Sequence, residues 1–118
     1  AISDSPLGPW EYKGIYMEPT DSYTNHGSIV EFKGQWYLFY HNASLVIGNQ
    51  AGATGRRSVC VDYLYYMPDG SMAYVEQTKD GVTQPPKTAD EVSLMVNPYP
   101  EEPKEVKKYA VNADGAVK

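Results

Sequence analysis

His26 is the residue in this sequence whose position most suggests a chemical role. It lies between Asn25 and Gly27, in a turn that leads into an apolar segment, and side chains in such turns are often placed to meet ligands. A turn histidine that only bonds a backbone carbonyl is the alternative. His41, at the end of an apolar segment, fits a structural role. The two histidines do not predict a zinc site, because no third nitrogen or sulfur ligand accompanies them.

Two further groups of residues could carry chemistry. Arg56 and Arg57 border a glycine-containing stretch and precede an apolar segment, so we expect one to point inward and the other to solvent. Asp62 lies within that segment, and a buried carboxylate is costly unless it is paired; Arg57 or a backbone donor is the expected partner. An acid and base pair drawn from Asp21, Glu31 and Asp62 is a disfavoured reading.

The elements around these residues are predicted to be β-strands. Tyrosines are frequent and mixed with Val, Ile and Phe, which is β-strand composition. We predict strands over residues 11–17, 27–32, 35–41, 58–66 and 71–75. Lys33 and Gly34 should form a two-residue hairpin turn, and Asp69 and Gly70 should connect the last two strands.

The predicted strands over residues 35–41 and 58–66 are apolar at nearly every position, which indicates a sheet covered on both faces. Five short strands can hardly cover both faces of their own central strands, so the pattern suggests part of a larger stack of sheets. Residues 42–56 are predicted to be a long loop. Residues 83–118 are rich in proline and are predicted to be a linker or extended tail, in which the stretch 89–96 could be a helical turn or a short strand.

Bulk properties exclude several functions. The formal charge of −5 argues against nucleic acid, which is bound through clustered Lys and Arg. The sequence has no apolar run long enough for a membrane span and no leader pattern. Its single cysteine, Cys60, excludes an internal disulfide and is expected to be a small buried hydrophobe.

Three motifs in order resemble a known family. They are "SDSPLGPWEYKGIYM", "TNHGSIVEFKGQWYLFYHN" and "GRRSVCVDYLYYMPDGSM", and together they resemble the last blade and the preceding strand of glycoside hydrolase family 43. Its members are five-bladed β-propeller arabinofuranosidases and β-xylosidases. The resemblance implies an all-β partial propeller over residues 1–82, from the C-terminal part of such an enzyme.

The resemblance also implies roles for individual residues. His26 matches the family's histidine near the propeller axis, which contacts the −1 sugar or a bound calcium ion. Arg57 matches an arginine that binds sugar hydroxyls, with Arg56 as the alternative; a planar guanidinium suits adjacent hydroxyls. The expected partners are an arabinoxylan-type saccharide and the remainder of the propeller or another chain, and the expected location of the parent protein is secreted or periplasmic.

The chain also departs from the family. The family's three acidic residues, an aspartate base, a second aspartate and a glutamate acid, lie on earlier blades, and their motifs are absent. We therefore predict no catalytic residue here and no turnover by the chain alone. A non-catalytic carbohydrate-binding module and a purely structural domain that pairs with another chain are the rival readings.

Overall fold

A tight turn at Lys33 and Gly34 forms the hairpin at the centre of the structure, a computed structural model that describes residues 1–53 and 55–99. The turn joins β1 (Ser28–Phe32) to β2 (Gln35–Asn42). Lys33 has φ 52° and Gly34 has φ 80°, and this pair of left-handed conformations matches the twist of a two-residue hairpin. The predicted hairpin is confirmed.

A third strand, β3 (Ser58–Leu64), completes an antiparallel sheet of order β1-β2-β3. In its register, His41 faces Val59 and Leu38 faces Asp62. The other regular element is a short helix, α1 (Ala89–Ser93), which Thr88 caps at its N-terminus. The predicted all-β class is thus confirmed for the described residues, in which no helix is long and apolar enough to cross a bilayer.

Two predicted strands are wrong. In the segment 11–17, Glu11 forms an isolated bridge with Ile2, and Gly14 at φ 95° interrupts the extended run. The segment 71–75 forms a single bridge, between Met72 and Tyr66. The segment forms hydrogen bonds to two different neighbouring segments. The Ala73 N–H donates to the Tyr65 carbonyl (2.9 Å), and the Val75 N–H donates to the Tyr16 carbonyl (2.7 Å). No regular ladder results, although the Asp69-Gly70 turn is present.

The predicted tail contains the helix α1, so the stretch 89–96 begins as a helical turn. The part of the predicted tail from residue 100 to residue 118 lies outside the described residues.

One face of the sheet, which we call the core face, packs against the flanking segments. Leu38 and Leu64 are fully buried there, and they form a cluster with Met17, Tyr40 and Val75. Cys60, which was predicted to be buried, is half-buried at the edge of this cluster, because it lies toward the end of the sheet.

The core face also holds the buried carboxylate of Asp62. Its Oδ2 atom accepts a hydrogen bond from the Tyr40 hydroxyl (2.6 Å) and one from the Thr78 N–H (3.3 Å), and its Oδ1 atom accepts one from the Thr78 hydroxyl. A backbone donor was predicted correctly, whereas Arg57 is not the partner. The carboxylate therefore ties β2 and β3 to the segment that follows them.

We expect Asp62→Ala to lower the free energy of unfolding by about 1–3 kcal/mol, because it leaves the buried Tyr40 hydroxyl without a partner. Urea unfolding followed by fluorescence measures the change. Asp80→Ala, the same change at an exposed position, should stay within about 0.5 kcal/mol of the wild type. Equal effects of the two substitutions would contradict a structural role for Asp62.

The opposite face, which we call the open face, is apolar but poorly covered by the described residues. Val30, Phe32, Phe39 and Val59 lie on it and are 43%, 59%, 38% and 80% exposed. The expectation that both faces are covered is therefore met on the core face alone. β1 is an edge strand of the sheet and all five of its residues are exposed, so the described residues leave a bare edge beside this face.

A bare edge next to an apolar face favours association. We expect the chain to elute as larger species at rising concentration in size-exclusion chromatography. Val30→Lys should shift it toward the monomer, because the lysine places a charge on the edge strand. Leu7→Lys, at an apolar side chain 94% exposed but outside the sheet, should not do so. Concentration-independent monomeric elution of the wild type would contradict the expectation.

Candidate sugar-binding site

The segment that carries His26 is held against the end of β2 by short polar side chains. Asp21 Oδ1 accepts a hydrogen bond from the Ala43 N–H (2.7 Å), and the Ser22 hydroxyl donates one to the Arg56 carbonyl (3.0 Å). Asn25 Oδ1 accepts a longer one from the His41 N–H (3.5 Å). Residues 21–25 are thus anchored at three points, and the loop enters the sheet in a defined position.

His26 itself is exposed and lies on the ring of His41. The two ring centroids are 5.9 Å apart, and the ring planes differ by 25°. His41 is 7% exposed, and both of its ring nitrogens are buried without a hydrogen-bond partner among the described residues. The exposed imidazole therefore rests on a buried one.

The two arginines have different surroundings, as the sequence predicted. Arg56 is half-buried, and its guanidinium donates to the Leu45 carbonyl (3.3 Å) and to Gln50 Oε1 (3.1 Å). It holds the loop 45–50 against the start of β3. Arg57 is exposed, and its side chain makes no hydrogen bond with the residues that the structure describes. Among the described residues, the Arg57 guanidinium is therefore the one that no intramolecular hydrogen bond engages.

The topology brings these candidates to one end of the sheet. His41 faces Val59 across the β2–β3 pair, and Arg57 lies two positions before Val59. His26 is attached to this same end through His41. Four surface cavities of 340–520 Å³ lie on the described residues, and His26, Arg56 and Arg57 line none of these four. The exposed His26 and Arg57 thus form part of an open polar surface.

The three carboxylates considered as an acid and base pair accept local hydrogen bonds. Asp21 and Asp62 bind the donors described above, and the Glu31 side chain accepts from the Gly34 N–H. An active site built from these three residues stays a disfavoured hypothesis.

A metal ion at His26 finds few ligands here. Calcium takes six to eight oxygen ligands, yet no three His, Cys, Asp or Glu side chains come together as a metal-binding group within residues 1–53 and 55–99. The residues present therefore do not fit calcium by themselves.

Two ionisable groups near the core are held in their neutral forms. Burial, together with the hydrogen bond to Asp62, raises the pKa of Tyr40 well above its ordinary value. Burial also raises the pKa of the Cys60 thiol, which disfavours the reactive thiolate. Neither group is suited to act as a nucleophile or a base at neutral pH.

The sequence revealed His26 and the arginine pair but not the residues that support them. Sequence reasoning treats Asp21 only as a disfavoured acid or base and His41 as structural, and it assigns no anchoring role to Ser22 or Asn25. The available signal was the polar run over residues 21–25, since Asp, Ser and Asn side chains readily bond to nearby backbone groups.

We expect Arg56→Ala to speed hydrogen exchange of the Ile47 and Gln50 amides roughly fivefold. These amides form the bridge of the loop, and the loss of the guanidinium contacts should cost about 1 kcal/mol locally. Arg57→Ala is the matched control and should leave both amides unchanged. An equal response to both substitutions would contradict the assignment of loop contacts to Arg56 alone.

Sequence comparison relates the chain to glycoside hydrolases of the xylosidase and arabinosidase type. A "Xylosidase/arabinosidase" of Bacteroides ovatus is 41% identical over 76 residues, which is 64% of this chain and 22% of that protein. A "Beta-xylosidase" of Xylanibacter ruminicola is 42% identical over 76 residues, covering 64% and 23% of the two chains. An "Arabinoxylan arabinofuranohydrolase" of Paenibacillus polymyxa is 35% identical over 89 residues, covering 70% and 14%.

These matches confirm the resemblance to family 43 enzymes over part of the chain. The chain spans about a fifth of the length of the first two relatives. No protein-family model matches it.

Proposed function

We propose that the chain is part of a glycoside hydrolase that cleaves arabinofuranosyl or xylosyl linkages of arabinoxylan-type polysaccharides with inversion. The observation that carries this proposal is the 35–43% identity to xylosidases, arabinosidases and an arabinofuranohydrolase. The anchored turn of His26 and the exposed Arg57 side chain support it, because they lie at the same end of the sheet and both carry groups that can bind sugar hydroxyls.

In this proposal the chain binds and orients the sugar but does not carry out the cleavage. His26 and Arg57 contact the −1 sugar, and the guanidinium donates to adjacent hydroxyls. Inverting hydrolysis needs two carboxyl groups about 6.5–9.5 Å apart, with water between them. In this proposal those groups come from other parts of the parent protein, because the family's three acidic motifs are absent from this sequence.

The proposed architecture is a blade region of a five-bladed propeller, the last blade with a strand of the preceding one. Support comes from the open face, because blades of a propeller pack against neighbours on both sides. The exposed side chains Val30, Phe32 and Phe39 would be covered by another blade. A blade takes roughly 40–45 residues, so the remaining blades must come from elsewhere in the parent protein or from another chain.

Calcium remains a proposal at His26 and needs oxygen ligands from outside the described residues. A single imidazole is a secondary ligand for this ion, which prefers oxygen. No step of the proposed sugar binding depends on it.

A chimera tests the proposal. The 76-residue matched segment of the Bacteroides ovatus enzyme is replaced by the corresponding segment of this chain, and hydrolysis of aryl xyloside and aryl arabinofuranoside is measured. We expect an active chimera in which His26→Ala or Arg57→Ala lowers kcat/KM by roughly 10- to 150-fold, the effect of losing a hydrogen bond that involves a charged group. The isolated chain should show no turnover.

Arg56→Ala is the matched control in the chimera and should have a smaller effect, because its guanidinium binds the loop and not the sugar. A folded chimera whose activity is insensitive to His26→Ala and Arg57→Ala would contradict the proposed site. Strong arabinoxylan binding by the isolated chain, also insensitive to these changes, would favour the non-catalytic binding module. That reading places the sugar at the tyrosines Tyr63, Tyr65 and Tyr74, which line a cavity of 380 Å³.

A further inference from the structure

His41 is the most unusual buried polar residue of the described part. It is 7% exposed, and neither ring nitrogen has a hydrogen-bond partner within that part of the chain. A buried polar group without a partner is unfavourable and calls for an explanation. An aliphatic or phenyl side chain would fill the same place on the strand without this cost.

His41 contacts the segment 25–26 in two independent ways. Its backbone N–H donates to Asn25 Oδ1 at 3.5 Å, and its ring stacks under the ring of His26 with centroids 5.9 Å apart. The first contact places the turn, and the second contact restricts the orientation of the imidazole beside it. His41 in turn is fixed by the sheet, because it lies in β2 opposite Val59.

The two imidazole rings differ in their exposure to solvent. His26 is exposed while His41 is buried beneath it, so a ligand that approaches from solvent meets His26 first. An exposed side chain on a turn has several rotamers available, and restricting them before binding lowers the entropic cost of the bound state. A flat aromatic surface under the ring restricts them.

We propose that His41 is a positioning residue, which holds the ring of His26 in the orientation that contacts the sugar. This inference rests on the proposed function, since the orientation of His26 matters for the sugar that it is proposed to bind. The stacking itself is a property of the free chain and can be tested without sugar.

The first experiment records imidazole carbon-bound proton resonances of the full 118-residue chain by NMR, without ligand. We expect a cross-relaxation peak between the His26 and His41 rings, and His26 resonances displaced from those of a flexible histidine. His41→Ala should return them to the flexible values, whereas His41→Phe, which keeps an aromatic surface, should retain most of the displacement. Val59→Ala, at the cross-strand neighbour on the same face, is the matched control and should change little.

Methyl resonances of Leu38 and Leu64 report in each variant whether the core is intact. Absence of the His26–His41 cross peak in the wild type would overturn the inference even if His41→Ala does not fold. Unchanged His26 resonances in a folded His41→Ala would overturn it as well. So would a folded His41→Phe that resembles the alanine variant, because the stack would then not be what holds the ring.

The second experiment adds L-arabinose or D-xylose and follows the His26 resonances. We expect sugar-dependent shifts in the wild type, with an apparent affinity roughly 2- to 10-fold weaker in His41→Ala, the effect of losing one aromatic stacking contact. His41→Phe should restore it. No sugar response in the wild type, combined with an intact stack, would count against the proposed sugar contact of His26 while the positioning role stands; a response equally strong in His41→Ala would overturn the positioning role.

Discussion

The register of β2 against β3 is the constraint on which the rest of the structure depends. Because side chains alternate between the two faces, a shift by one residue would exchange the faces of Tyr40 and His41. Tyr40 would then lose Asp62, and His41 would leave the support of His26. The buried hydrogen bond from Tyr40 to Asp62 (2.6 Å) joins the two strands on the core face, so the group that stabilises the core also fixes the position of the candidate site on the other face.

The candidate site is made by polar anchors and not by hydrophobic packing. Hydrogen bonds join the side chains of Asp21, Ser22 and Asn25 to the backbone of other segments. Because hydrogen bonds are directional, they fix the position of the turn without the burial of much apolar surface. This is a suitable way to hold a binding turn at the end of a sheet, where little core is available. Asp21 illustrates this, since its Oδ1 atom accepts the Ala43 N–H and so joins the turn to the residue after β2.

Part of the fold and of the candidate site could be predicted from short stretches of sequence. The Lys33-Gly34 turn, the three paired strands and the different surroundings of Arg56 and Arg57 follow from short-range patterns, and the structure has them. The segments 11–17 and 71–75 have strand composition but lack a continuous neighbour, and composition does not report what lies beside a segment. The stacking of His26 on His41 joins residues 15 positions apart in the sequence, and it depends on how the turn closes over the sheet. Patterns along the chain do not contain that information.

The open face connects the architecture to the function. Burial of apolar surface stabilises by about 25 cal/mol per Å², so side chains such as Val59, Phe32 and Phe39 leave a large stabilisation unrealised when the described residues stand alone. The same face carries His41 and, above it, His26. A partner that covers the apolar part of the open face would therefore lie next to the imidazole of His26. It would form one wall of a cleft in which the exposed polar surface is the other wall. The same neighbouring segment would then cover the apolar side chains and form the second wall of the sugar site. The proposed site therefore depends on the proposed propeller fold.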